Sequence, residues 1–316
     1  MPNMNYYTRR TLTLFLTMLF VVILTFSVFR IIPGNPALTI LGVEATDEQI
    51  AMLAAKLGTD RPLFDQFIDW ISGIALLDFG ESLRFSEPVL ELIGARLPVT
   101  ITLAVLAMTI TVGIGIPLGI LAARTKGKAI DMAVSIGTQI GLAVPSFWMG
   151  IILILIFGLS LKWVTVSTYI PWSESPLLAL RSLLLPAIAL AIPQIAIVVR
   201  YLRTTMLEQL NLDYVRTARS KGLPEKSIHY RHVLKNALLP VITIIGIHFG
   251  ELLAGSLVIE QVFTLPGFGS LLITAIGNRD YPLVQGLVLI IAFTVIMINF
   301  IVDLSYRWLD PQIRLK

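Results

Sequence analysis

The sequence predicts an all-α membrane protein of six transmembrane helices with both termini cytoplasmic. Three observations carry that expectation. Of 316 residues, 56% are hydrophobic and only 14% charged, against about 25% charged in a soluble domain. Six apolar stretches are long enough to supply the roughly 20 residues that a helix needs to cross a bilayer core: Thr11–Ile32, Pro98–Ala122, Ile130–Phe157, Leu183–Val199, Leu238–Ile259 and Leu283–Leu304. Charge also alternates between the connections. With the N-terminus inside, the inner side holds 16 of the 24 Lys and Arg but only 6 of the 20 Asp and Glu, a formal +10 against −6 elsewhere. That asymmetry is the positive-inside rule.

Composition excludes several functions. The chain is too apolar to be disordered. It has no cysteine, which removes disulfide scaffolds, thiolate metal sites, iron–sulfur ligation and a cysteine nucleophile. Three histidines are a poor supply for a catalytic zinc. Thr125-Lys-Gly-Lys-Ala129 is not a P-loop and no other stretch is, so the chain carries no nucleotide engine of its own. Ser256 and His248 fall on one predicted helix, whereas an intramembrane serine protease needs them on facing helices. Beyond the basic inner connection nothing suggests nucleic acid, and no solenoid repeat appears.

Residues 1–32 read as the N-terminus and first transmembrane helix. Arg9 and Arg10 precede it as in a signal peptide. The apolar run outlasts an h-region of about 7–15 residues, and no small-x-small cleavage site follows. Residues 33–97 read as an extracytoplasmic segment of short helices. Thr46 with Gln49 forms a capping box and Gly58 a stop. Asp60-Arg61-Pro62 starts a second helix with proline at an early position, and Leu63, Phe67, Trp70, Ile71 and Ile74 make its apolar stripe. A third helix begins at Ser86-Glu87-Pro88. The segment is either a packed cap or a docking surface for an extracytoplasmic partner, which its acidic balance suits.

Residues 98–304 read as a five-helix core, and 305–316 as a cytoplasmic tail. Pro145, Pro186 and Pro193 are expected to kink their helices. Within the core, 200–237 is a basic inner segment. Asp213 can cap a helix there, Gly222 can end it in a left-handed turn, and Pro224 prevents continuation. This helix either lies on anionic lipid or is a defined docking element. His248 and Glu251 sit three apart on one face of the fifth helix, Glu251 roughly 20 Å in from Leu238. Ionisable groups at such depth are functional hypotheses. They line a solute path, bind a cation or meet a partner subunit, or they only hydrogen-bond each other. A metal would need further ligands from a second chain. Gly246, Gly250, Ala254 and Gly255 have small-residue spacing that suits a second subunit or another helix of the same chain. The stretch Val262-Phe-Thr-Leu-Pro-Gly-Phe-Gly269 reads as a tight turn, in a re-entrant plug or an ordinary loop.

Several motifs in order resemble the ABC-importer permeases of the dipeptide, oligopeptide and nickel class. They are Asp213-Tyr-Val-Arg-Thr-Ala-Arg-Ser-Lys-Gly-Leu223, Arg231-His-Val-Leu-Lys-Asn-Ala-Leu-Leu-Pro240, Val258-Ile-Glu-Gln-Val-Phe263, Leu265-Pro-Gly-Phe-Gly269, Arg279-Asp-Tyr-Pro282 and Leu309-Asp-Pro-Gln-Ile-Arg314. Pro33-Gly-Asn-Pro36 and Asp60-Arg-Pro-Leu63 join them, and the long segment after helix one is similar to the B-type subunit. The resemblance implies the type I ABC-importer permease fold in the inner membrane. It implies a heterodimer with a second homologous permease, two cytoplasmic ABC ATPases, an extracytoplasmic solute-binding protein and surrounding membrane lipids. It implies no catalytic site and no cofactor on this chain, with ATP and Mg used by the partner ATPases. The inner helix is then the coupling helix, with Asp213, Tyr214, Arg216, Ala218, Arg219 and Gly222 as its ATPase-coupling residues. The general importer pattern is Glu-Ala-Ala, three residues, then Gly; here Arg216 and Thr217 replace the Glu and first Ala, as is usual for the peptide class. Di- or oligopeptides are the expected solute. Nickel or a nickel chelate is the alternative, since Ile247-His-Phe-Gly-Glu-Leu252 is similar to nickel permeases. The competing class is a secondary transporter working without ATP.

Overall fold

The computed structural model describes residues 6–31, 38, 41, 45–56, 58–164 and 169–309. Among them every regular element is helical, and Glu81 with Pro88 forms an isolated β-bridge. Among the described residues, five helices are long and apolar enough to cross a membrane, and a bent pair counted as one span brings the number to six. The chain divides into two compact units, residues 1–98 with 267–296, and residues 99–266 with 297–316.

The first unit contains α1 (Tyr6–Ile31), α2 (Asp47–Lys56), α3 (Leu63–Ala75), the start of α4 (Val89–Arg124), α11 (Phe268–Gly277) and the start of α12 (Tyr281–Leu309). The capping box forms as expected: Thr46 N–H donates to Gln49 Oε1 at 3.0 Å and Gln49 N–H to Thr46 Oγ1 at 3.3 Å. Gly58 takes φ +66°. Pro62 is the N-cap of α3 rather than a helical residue. Of the α3 stripe, Phe67 and Trp70 pack on Phe26 of α1, with ring centroids 5.2 and 5.6 Å apart. Leu63 is 61% exposed and does not join them. The expected third outer helix and second membrane helix are one element, since α4 runs 36 residues without interruption, about 54 Å at 1.5 Å per residue. The Pro-Gly-x-Gly stretch leads into α11, whose 10 residues are too few to cross a membrane.

Asp280 organises this unit. It is fully buried. Its Oδ1 accepts the N–H of Leu283 at 3.3 Å and so caps α12. The same carboxylate accepts the N–H groups of Leu83 and Arg84 at 3.1 and 3.2 Å and the hydroxyl of Ser82. One acid therefore fixes the turn before α4 against the start of α12. Val89 and Ile93 of α4 and Leu283 and Leu287 of α12 are buried as well.

The second unit holds the rest of α4, α5 (Ala129–Ala143), α6 (Ser146–Leu153) with a π-helical continuation through Ser160, α7 (Pro176–Gln209), α8 (Asp213–Ser220), α9 (Glu225–Ser227) with a π-helical turn Ile228–Val233, α10 (Leu234–Val262) and the end of α12. The third apolar stretch is not one straight helix. It breaks at Val144-Pro145, and α5 and α6 diverge by 103°. Val144 adopts φ −91°, ψ 119°, the extended backbone that proline imposes on its predecessor. Pro186 and Pro193 stay inside α7, and Pro240 inside α10.

Helix α7 is the centre of the unit. Ser175 caps it, accepting the N–H of Leu178 at 3.4 Å, and Pro176 occupies its first turn. Gly115 and Gly119 of α4 lie so close to Val198 and Leu202 that a Cβ on either would come within 3.0 Å. Leu183, Ala187 and Leu190 of α7 share one buried cluster with Leu103 of α4 and Leu252 and Ile259 of α10.

Asp280→Ala strips the acceptor from a buried hydroxyl and three N–H groups. The expected loss is about 3 kcal/mol, read as a lowered thermal transition in detergent. Asp280→Asn, which keeps one acceptor oxygen, should lose less. A shift no larger than that of an exposed alanine control would refute the role of this hub.

Candidate functional site

The basic inner segment is smaller than its sequence suggested. Residues 200–209 belong to α7 and 234–237 to α10, so the protruding part is essentially Leu210–Val233. Within it, α8 is amphipathic on a short scale. Val215 and Ala218 are buried against Leu202, Met206, Ile228, Val233 and Ala237, which seats the helix on the C-terminal end of α7 and the N-terminal end of α10.

The helix starts and stops differently in kind. Asp213 is not the N-cap. Leu212 takes that position, with no side-chain capping bond, and the Asp213 carboxylate instead accepts from Arg216 at 3.0 Å. Asp213 still occupies the first turn, where a negative charge suits the helix dipole. The stop is as expected. Gly222 has φ +74°; its N–H donates to Arg219 O at 2.9 Å and the N–H of Leu223 to Ala218 O at 3.3 Å. Those two bonds make a Schellman motif, which glycine enters without steric cost. Pro224 follows and opens α9.

The six candidate residues therefore separate. Asp213 and Arg216 are 92% and 72% exposed in their side chains and form the outer face. Arg219 is exposed and donates to Glu225 at 2.8 Å, a bond that pushes its guanidinium further above its ordinary range. Tyr214 is half-buried and donates to Gln209 Oε1 at 2.8 Å. Ala218 faces inward, and Gly222 acts through the backbone. Nearby, Arg124 at the end of α4 lies over the Tyr230 ring at 5.6 Å.

His248 and Glu251 do meet. His248 Nδ1 and Glu251 Oε2 are 2.5 Å apart. Glu251 is 58% exposed and His248 20%, so the pair lies on an outward face of α10. Ile247, Ala254 and Val258 are exposed on the same face. No third His, Asp or Glu gathers with them among the described residues. The small residues of α10 divide. A Cβ on Gly246 would meet Val302 of α12 at 2.6 Å, and one on Gly255 would meet Leu190 at 3.7 Å. Gly250 is buried and Ala254 exposed. Gly246 and Gly255 thus pack within the chain, while Ala254 stays on the outward face.

Three acids that sequence reasoning did not single out are more deeply held. Asp131, 5% exposed, accepts two bonds from Arg203 of α7 at 2.7 and 2.9 Å and one from Gly127 N–H at 2.9 Å. Glu260 is fully buried and accepts the Thr100 hydroxyl at 2.6 Å. Asp280 is the third. Glu260 and Asp280 did lie inside two of the quoted motifs, which was the available signal. Asp131 had none, because its partner is 72 residues away.

Comparison with known proteins places these features in context. The family model described as binding-protein-dependent transport system inner membrane component matches residues 115–315, and the corresponding N-terminal model matches residues 3–104. A putative peptide transport system permease protein of Brucella suis is 44% identical over 94% of this chain and 94% of its own length. The di/tripeptide transport system permease protein DppB of Pseudomonas aeruginosa is 38% identical over 98% of this chain and 99% of its own. The oligopeptide transport system permease protein AppB of Bacillus subtilis is 37% identical over 98% of both. Among solved structures, a chain of the MetNI methionine ABC transporter in an inward-facing conformation aligns over 72% of this chain and all of its own, with a TM-score of 0.57 at 19% identity. At that identity the likeness is one of fold.

The two charge pairs should respond differently to neutralisation. Glu251→Gln and His248→Gln should each change stability by less than about 1 kcal/mol, since the pair is exposed. Asp131→Asn should cost about 2–3 kcal/mol, because it leaves Arg203 partly buried against a neutral amide. Thermal unfolding of the three variants decides this, and equal shifts would contradict the assigned burial.

Proposed function

This chain belongs to the family of inner membrane components of binding-protein-dependent transport systems, and from that premise we propose that it is a permease subunit of an ATP-driven importer of di- or oligopeptides. The observation that carries the solute class is the match, along more than nine tenths of the chain, to relatives named for peptide transport. In this reading the chain pairs with a second, related permease. Two ABC ATPases bind on the inner side, and a solute-binding protein delivers peptide from the outer side. The chain hydrolyses nothing itself; ATP and Mg act in the partner ATPases. The basic surplus of the inner connections supports an orientation with both termini and α8 on the cytoplasmic side.

The working part is α8 as a coupling helix. Its exposed face of Asp213, Arg216 and Arg219 meets an ATPase, while Val215 and Ala218 tie it to α7 and α10. Movement of the ATPases then reaches the transmembrane helices through packed side chains rather than through a flexible linker. The outward face of α10, with Ile247, Glu251, Ala254 and Val258, meets the second permease or the solute path between the two. A polar pair on such a face suits either role.

Gly222→Val places a β-branched residue at φ +74°, at a cost of about 1–2 kcal/mol. Peptide uptake and peptide-stimulated ATPase activity of the assembled importer should fall, with membrane insertion unchanged. Unaltered uptake would remove the coupling role from this turn.

The subunit contact has its own test. The chain lacks cysteine, so single cysteines at Ile247, Ala254 or Val258 report without background. Each should form a disulfide with suitably placed cysteines of the partner permease. A cysteine at Gly246, which packs on Val302, should not. Absence of every cross-link in an assembled, active complex would take this face out of the interface.

A further inference from the structure

Helix α5 is fastened to α7 at two points. Of its 15 residues only Asp131 and Gly141 are buried, and both meet α7. A Cβ on Gly141 would lie 3.4 Å from Ala196 and from Ile192. In the first turn of α5, Asp131 takes two hydrogen bonds from Arg203, at 2.7 and 2.9 Å. Elsewhere the facing surfaces are loosely packed. A gap of about 190 Å³ is lined by Val134, Ser135 and Leu142 of α5 and by Val199 and Arg200 of α7. Close-packed interiors hold few voids larger than one water, so α5 loses little dispersion energy by moving along this surface.

The C-terminal end of α5 has the backbone of a hinge. Val144 (φ −91°, ψ 119°) and Pro145 (φ −58°, ψ 145°) are both extended. Among the described residues no backbone hydrogen bond runs from α6 back to α5, and proline has no N–H to make one. Hinges are a few element-terminal residues that absorb a change in φ and ψ. At 1.5 Å per residue, Asp131 lies about 20 Å from Val144 and Gly141 about 4.5 Å. A swing that moves Gly141 by about 1 Å therefore moves Asp131 by about 4 Å, enough to part its ion pair.

That pair is built to hold and to release. The Asp131 side chain is 7% exposed and that of Arg203 29%. Water that reaches Arg203 solvates its guanidinium once the two separate, so parting costs less than in a sealed interior. The same carboxylate accepts the N–H of Gly127 at 2.9 Å, which ties down the turn before α5. The pair also lies beside the seat of α8. Leu202 and Met206, on the turn of α7 that carries Arg203, belong to the cluster that buries Val215 and Ala218.

We propose that α5 is a gate, hinged at Val144–Pro145 and latched to α7 by the Asp131–Arg203 pair. A displacement of α8 shifts the α7 turn beneath it, parts the pair and frees α5 to swing. The inference rests on the permease reading for what displaces α8, but the latch itself is complete within this chain.

Reactivity of a cysteine placed beneath α5 tests it. Val199 is 1% exposed and lines the gap. In the assembled complex in lipid nanodiscs, Val199→Cys should react slowly with a water-soluble maleimide. Arg203→Gln should speed that reaction about ten-fold or more, the factor that about 1.4 kcal/mol of lost pairing gives. Arg203→Lys, which keeps the charge, should restore part of the protection. Ala187→Cys, buried elsewhere on α7, should keep its rate. Trapping the complex with ATP and vanadate should change the Val199→Cys rate several-fold relative to the nucleotide-free complex. An unchanged rate with Arg203→Gln, an equal rise at Ala187→Cys, or equal rates in the two nucleotide states overturns the proposal. Peptide uptake by the same complexes is read separately. Its absence, with the Arg203-dependent protection of Val199→Cys intact, removes the import function and leaves the latch.

Discussion

The architecture of the second unit depends on how closely its helices approach α7. In a membrane, burial of apolar surface does not drive helices together, because lipid is as apolar as leucine. Association must come from close contact, and close contact needs small residues where two helices cross. Gly115, Gly119 and Gly141 supply it, set against Val198, Leu202, and Ile192 with Ala196 of α7. Their spacing puts a large α7 side chain into each gap left on α4 or α5. The two prolines inside α7 are compatible with this, since packed neighbours can compensate a freed carbonyl. The same helix runs on to Gln209, beyond the apolar stretch, and its last turns form the seat of α8. One rod is thus both the packing centre of the membrane part and the support of the basic segment that carries α8.

Buried charge follows a different rule from exposed charge in this chain. Asp131 with Arg203 and Glu260 with Thr100 are held by short hydrogen bonds between different helices. Removing ions from water costs more than a loose pairing returns, so such contacts fix one register of the helices rather than add much stability. His248 and Glu251 belong to the same helix and face outward. Their bond fixes no register between elements. Its position on an otherwise apolar stripe sets it apart from the structural acids.

The sequence made the helices legible because hydropathy over about 20 residues is a local property. The capping box at Thr46 and the stop at Gly222 were legible for the same reason, since each is decided within a few residues. Pro145 and Pro193 show where locality ends. Both interrupt apolar runs, yet one breaks its helix by 103° and the other is absorbed. At Pro145 the preceding Val144 is extended, while Pro193 lies inside an uninterrupted helix, an outcome that the spacing along the chain does not encode. Asp280 lay inside a quoted motif, but what it holds was unreadable for a related reason. It looks like an ordinary turn residue until Ser82, 198 positions earlier, is placed beside it. Asp213 looked like a cap, but its carboxylate turned to Arg216 while Leu212 took the capping position.

The sequence left two roles open for α8, a lipid-bound helix or a docking element, and the burial pattern bears on the choice. A helix that lies in the membrane interface must sink its apolar face into the boundary between headgroups and acyl chains. The apolar face of α8 is already occupied, for Val215 is fully buried and Ala218 is 7% exposed against the chain's own core. The remaining face presents Asp213, Arg216, Arg219, Ser220 and Lys221. Basic residues alone could attract anionic headgroups, but Asp213 and Glu225 each hold one of the arginines in an ion pair. Arg216 and Arg219 are therefore partly neutralised, and the exposed apolar groups beside the helix are confined to its two ends, Leu212 and Leu223. A short, rigidly stopped helix of mixed charge, with its apolar side spent on its own chain, is better matched to a polar protein cleft than to a bilayer surface.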